Sequence, residues 1–201
     1  MRERRFFTSE LRIDNREKPT IEGHAAVFNQ KSEEMWGFRE VIRPGAFAKT
    51  IKTADVRALW NHDPNFVLGR TKNNTLELSE DEIGLRSIIH PPDTIFANDI
   101  LESIKRGDVD QMSFGFITIT DEFRMEDKVM IRELIEVELF DVSPVTFPAY
   151  PQTDVQANEA STYFEARMKN LSPAAVPKDQ IRLIREKHAA MRQKMTEKLW
   201  F

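Results

Sequence analysis

Ser113 lies in the run Gly-Asp-Val-Asp-Gln-Met-Ser-Phe-Gly-Phe, residues 107–116, as the one hydroxyl in the apolar part formed by Met112, Phe114 and Phe116. A serine hydroxyl is a poor nucleophile at neutral pH. It needs a neighbouring imidazole as general base, and that imidazole needs an acceptor on its other nitrogen. The chain offers His62, at the end of an apolar segment, and a group of acids between Glu133 and Asp141. These three satisfy acyl-transfer chemistry in kind, although such a trio also arises by chance in many proteins. Other chemistries find less support. The four histidines, His24, His62, His90 and His188, have no metal-ligand spacing. There is no glycine-rich phosphate loop and no Gly-x-Ser-x-Gly elbow. Cysteine is absent, which removes disulfides, thiolate metal sites and cysteine nucleophiles. No cofactor and no metal are expected.

The elements that must carry these residues read as mostly short strands. Segments 5–13 and 20–28 are rich in Phe, Ile and Val, and 38–42 is a short apolar piece. Pro44 near its start makes 46–51 a short helix. Segment 55–62 is a strand ending at His62 and stopped by Asp63-Pro64, with further strands at 66–71, 75–79 and 84–89. Asp93 or Thr94 caps a helix running to Ile104, with Ile95, Ile100, Leu101 and Ile104 on one stripe. Gly107 ends that helix, and a strand carrying Ser113 runs to about Thr120. Alternation places Ser113, Gly115 and Ile117 on one face, and Met112, Phe114 and Phe116 on the other, core-like face. Gly115 marks a place where another group approaches closely. Residues 121–127 form a charged hairpin tip, and 128–142 return as a long strand closed by the prolines at 144, 148 and 151. The expected architecture is mainly β with helices (α+β), a barrel surrounded by helices.

Composition sets the outer bounds. With 201 residues, 40% hydrophobic and 31% charged, the chain supports one ordinary domain with a core and a tail. A net charge of -4 gives no reason to expect nucleic acid as a partner. No apolar run is long enough to span a bilayer, so no membrane is expected either. Composition shifts after Pro151, where 155–168 and 178–199 read as amphipathic helices. The expected division is a barrel domain at 1–151 and a helical arm at 152–201 that binds partners or is removed by autoprocessing.

Six segments occur in an order that resembles a known family: Gly23-His-Ala-Ala-Val-Phe28, Ile42-Arg-Pro-Gly-Ala-Phe47, Ala58-Leu-Trp-Asn-His-Asp63, Leu68-Gly-Arg-Thr71, Met112-Ser-Phe-Gly-Phe116 and Leu139-Phe-Asp-Val-Ser-Pro-Val-Thr-Phe-Pro-Ala149. Together they are similar to the prohead (capsid maturation) serine proteases of tailed bacteriophages, over about residues 23–151. That family is similar in fold to the herpesvirus assembly proteases, a β-barrel surrounded by helices. The resemblance implies that His62 is the base and Ser113 the nucleophile. It implies a second histidine as third member in the herpesvirus relatives and an acid in the phage members. This chain has no histidine between 91 and 187, so an acid is required.

Glu138 and Asp141 compete for that third position. If 128–142 is uniformly extended, Val137, Leu139, Asp141 and Ser143 share one face and Glu136 and Glu138 the other. Val129, Ile131 and Ile135 make the odd face the core, which turns Glu138 outward toward a substrate. Asp141 then points inward as a structural acid that needs hydrogen-bond partners, either Ser143 or backbone amides near the Pro144 turn. Alignment with the strand that carries the second histidine in the herpesvirus enzymes also favours Glu138. A bulge near the strand end would reverse the parity. The expected catalytic set is therefore His62, Ser113 and Glu138.

The resemblance implies a serine endopeptidase acting in the host cytoplasm, inside the assembling prohead. Its implied substrates are the scaffolding segment of the major capsid protein or a separate scaffold protein, and the protease itself. Homodimer or higher assembly is left open. A non-catalytic assembly factor with the same fold is the alternative, and a β-barrel small-ligand binder a third.

Overall fold

Residues 2–8, 11–14, 18–34, 38–127 and 129–147, with Arg182 and Glu186, are described by a computed structural model. In chain order the strands are β1 (Arg2–Thr8), β2 (Arg12–Asp14), β3 (Thr20–Val27), β4 (Phe38–Ile42), β5 (Arg57–Trp60), β6 (Asp63–Arg70), β7 (Leu76–Glu80), β8 (Gly84–Ile89), β9 (Gln111–Glu126) and β10 (Val129–Val145). Between these strands lie the single-turn α1 (Thr50–Thr53), a 3-10 turn at Thr71–Asn73 and α2 (Ile95–Lys105).

The strands form two sheets. One runs β1-β9-β10-β5-β6, with β4 lying parallel along the first part of β10; the other runs β2-β3-β8-β7. The protein is mainly β, and its larger sheet curls into a half-barrel. The expected ring of helices is not present among the described residues, where α2 is the one helix longer than a turn. The expected arm at 152–201 lies outside the described residues, apart from an Arg182–Glu186 ion pair.

Curvature comes from β9 and β10, the two long strands at the centre. Their antiparallel ladder carries register shifts between Leu134 and Glu136, between Glu136 and Val137, and between Leu139 and Asp141. Each extra residue bends its strand and raises the local twist. Two expected boundaries move. The charged residues from Asp121 to Glu126 continue β9 rather than forming a loop, and the chain reverses at Asp127, whose φ is 50°. Pro144 does not end β10, which runs through it to Val145. The proline lacks an N–H, but its carbonyl still accepts a bond from Asn61 N at 3.1 Å.

The core lies between the sheets and under α2. Phe47, Phe114, Phe116, Ile21, Leu85 and Ile89 are almost fully buried. Each such side chain contributes on the order of 2 kcal/mol by leaving water. Helix α2 follows its sequence signals. Thr94 Oγ1 accepts from Ala97 N, the apolar spacing buries Ala97, Ile100, Leu101 and Ile104, and Gly107 at φ 78° ends it. The chain then enters β9 at Gln111, two residues before Ser113.

A buried charge cluster ties β1 to this frame. Arg132, 1% exposed, donates to Glu3 at 2.7 and 3.1 Å, to Glu40 at 2.9 Å, to Asp121 at 2.8 Å and to Thr118 at 2.7 Å. Arg5 donates to both oxygens of Glu40, at 2.6 and 3.0 Å, and to Glu3 at 2.8 Å. Burial alone would push the Glu3 carboxyl up, but Arg5 and Arg132 outweigh it and hold it at about 2. Burial likewise opposes the charge on Arg132, and Glu40, Glu3 and Asp121 hold its guanidinium protonated.

Candidate active site

Three adjacent elements converge on one point because β10 lies between β9 and β5. Ser113 comes from β9 and pairs with Ser143 of β10; Gly115 pairs with Asp141. Directly opposed residues of an antiparallel pair point to the same side. Ser113, Gly115, Asp141 and Ser143 therefore share the face opposite to Phe114 and Val142, which enter the core.

His62 arrives from the hairpin between β5 and β6. Trp60 pairs with Asp63, so Asn61 and His62 are the turn, with φ of 52° and 60°. The two-residue turn with both φ positive matches the twist of its strands, and asparagine is well suited to its first position. The expected stop at Asp63-Pro64 is thus displaced, since both residues open β6. A histidine at φ 60° is held only where its surroundings over-determine it. Here Asn61 Nδ2 donates to Thr146 Oγ1 at 2.9 Å, Thr146 N donates to Asn61 Oδ1 at 2.9 Å, and Asn61 N donates to the Pro144 carbonyl at 3.1 Å. The turn is stitched to the end of β10.

The ring of His62 then bridges two groups. Nδ1 lies 2.5 Å from Asp141 Oδ2, and Nε2 lies 2.6 Å from Ser113 Oγ. Ser143 Oγ donates to the same Asp141 oxygen at 2.7 Å. An ionised Asp141 accepts only, so it fixes the tautomer with hydrogen on Nδ1 and turns the Nε2 lone pair toward Ser113. All four groups are largely withdrawn from water, with Ser113 and Ser143 at 0% exposed, and His62 and Asp141 at 8%. The arrangement is that of a nucleophile, a base and an orienting acid.

The chain matches the caudovirus prohead serine protease family over residues 7–167 of its 201. It belongs to that family. Membership makes it a serine peptidase of phage capsid maturation. Neither a curated protein nor a solved structure matches the chain.

For this prohead protease, the structure brings together His62 and Ser113 and leaves Glu138 out. Glu138 is exposed and pairs with Ile117, beyond the Gly115–Asp141 rung from Ser113. The acid beside His62 is Asp141, not the expected Glu138. The reason is the extra residue at Phe140, where the ladder steps from Leu139–Phe116 to Asp141–Gly115. Leu139 and Asp141 would share a face in an unbroken strand; the bulge puts them on opposite faces. Glu138 does lie on the Ser113 face, but too far along it.

Sequence reading marked Gly115 as a place of close approach without naming the visitor, which is the Asp141 carboxylate. Asn61 and Thr146 were not legible as a pair. A positive-φ turn is suggested by Asn61, but nothing local connects it to Thr146. The contact between Ser113 Oγ and the Arg5 carbonyl, at 2.8 Å, has no signal in the sequence.

Proposed function

We propose that this prohead protease is an endopeptidase in which Ser113 is the nucleophile, His62 the general base and Asp141 the orienting acid. The hydrogen-bonded chain from Asp141 through His62 to Ser113 is the observation that carries this reading. In the first step the Ser113 hydroxyl proton passes to His62 Nε2 while Oγ bonds to the scissile carbonyl carbon. The imidazolium is balanced by Asp141. It returns the proton to the leaving amine, and the C–N bond breaks to give an ester on Ser113. Water, deprotonated by the same Nε2, then attacks the ester, and the proton goes back to Ser113 as the new carboxylic acid leaves and ionises in solvent.

The substrates are the scaffolding segment of the major capsid protein or a separate scaffold, and the protease itself, within the prohead in the host cytoplasm. Residues 152–201 serve as an arm for incorporation and are lost on autoprocessing. Co-expression with the major capsid protein, wild type against Ser113→Ala, tests the reading by intact mass. Full-length protease and uncleaved capsid protein should accumulate in the variant, since loss of the nucleophile costs several orders of magnitude in rate. Equal processing by both forms would instead favour a non-catalytic assembly factor.

A further inference from the structure

Strand β1 is the outermost strand of the larger sheet and covers the edge of β9 beside Ser113. Its register is antiparallel, with Arg5 opposite Phe114 and Phe6 opposite Ser113. The Ser113 hydroxyl has one proton and two acceptors within reach, His62 Nε2 at 2.6 Å and the Arg5 carbonyl oxygen at 2.8 Å. When the proton is given to Arg5, it is not on the path to the base. A backbone carbonyl of the chain itself thus occupies the place where a substrate carbonyl must come, and it draws on the proton that catalysis must move.

The side chain of Arg5 is received as well. Its Nε and Nη2 meet the two oxygens of Glu40 at 2.6 and 3.0 Å, the two-pronged geometry of guanidinium on carboxylate. The guanidinium carbon also lies 5.5 Å from the centre of the Phe116 ring. Glu40 is 3% exposed and is also held by Arg132 at 2.9 Å, so this acceptor stays in position when Arg5 leaves. Extended peptides commonly add to an open strand edge, with backbone bonds for affinity and side-chain pockets for selection. Arg5 also precedes the residues that match the family, 7–167.

We propose that the β9 edge is the substrate-binding edge, that it takes an extended peptide with a basic side chain on Glu40, and that β1 is its intramolecular occupant. The residue whose carbonyl meets Ser113 is then arginine or lysine, and a substrate enters by displacing β1. This regulation rests on the reading of Ser113 as nucleophile.

The test uses the full chain with Arg2→Cys and Ile117→Cys, which stand opposite each other in the β1–β9 ladder. The chain has no other cysteine, so the engineered pair forms the only disulfide. Ser113 labelling is followed by mass, first with a small fluorophosphonate, in the oxidised and reduced forms. The oxidised form should label at least tenfold more slowly. Equal rates, or failure of the two cysteines to join, would overturn the placement of β1 as a gate. In the reduced form, a phosphonate bearing a guanidinium side chain should label at least tenfold faster than one bearing a norleucine side chain. No preference would overturn the role of Glu40. Absence of Ser113 labelling by every probe in both forms would remove the serine-nucleophile reading itself, and this inference with it.

Discussion

Gly115 and Asp141 face each other across the β9–β10 ladder so closely that a methyl group on residue 115 would stand 2.3 Å from Asp141 Oδ1. The carboxylate is not free to yield, because His62 and Ser143 both hold its other oxygen. Gly115→Ala should therefore push Asp141 out of line with His62. A displacement of this kind, near 1 Å, costs about 100-fold in rate. Fluorophosphonate labelling should slow accordingly while far-UV circular dichroism stays unchanged. Labelling at the wild-type rate would mean that Asp141 can move without consequence.

The two acids separate cleanly in mutation. Asp141→Asn should keep the geometry but leave the imidazole in the wrong tautomer and its positive charge unbalanced, reducing kcat about 10⁴-fold. Glu138→Gln should cleave at the wild-type rate, since Glu138 is exposed and away from His62. Autoprocessing rates of the two variants, measured beside their melting temperatures, decide between them. A slow Glu138→Gln with an active Asp141→Asn would reverse the assignment.

The Asn61–His62 turn should be sensitive in two separable ways. Asn61→Ala loses the bonds to Thr146 and the tolerance of φ 52°, and should cost about 1–2 kcal/mol in stability with a marked loss of rate. Asn61→Gly regains the backbone freedom but not the bonds. It should recover most of the stability and only part of the activity. Urea unfolding and labelling kinetics on the same samples distinguish the two losses; wild-type activity in Asn61→Gly would argue that the stitching to Thr146 is immaterial.

Acid should loosen β1 through Glu3. Its carboxyl is held at about 2 in the folded chain against an ordinary value of 4.5, so the folded form is favoured above 4.5 and that advantage fades as pH falls toward 2. Over this window Glu3 contributes on the order of a few kcal/mol. Glu3→Gln removes one partner of a buried pair and should lower stability by about 3–5 kcal/mol at pH 7. It should also flatten the decline between pH 4.5 and 2. Urea midpoints for both proteins across that range provide the check, and parallel curves would exclude Glu3 as the titrating group.

The strand bearing Ser113 was legible because Met112, Phe114 and Phe116 alternate with small residues, and these three enter the hydrophobic core. Helix α2 was legible from its period, its Thr94 cap and its Gly107 stop. These are local signals, carried by residues within a few positions of one another. The acid was not legible. Leu139, Phe140 and Val142 are all apolar, so the pattern permits either parity, and only pairing against Phe116 and Gly115 singles out Phe140 as the extra residue.

The sequence by itself determined the chemical types, a serine in an apolar strand, a histidine at a strand end and acids nearby, together with the alternation and caps that shape each element. Tertiary structure decided which groups meet. Parallel pairing of β10 with β5 brings the His62 turn to the end of β10, the bulge at Phe140 turns Asp141 toward it, and antiparallel pairing of β1 with β9 sets the Arg5 carbonyl on Ser113. The physical reason is range: side-chain periodicity is written by neighbours in the chain, whereas register, bulges and edge pairing follow from the summed contacts of strands far apart in it.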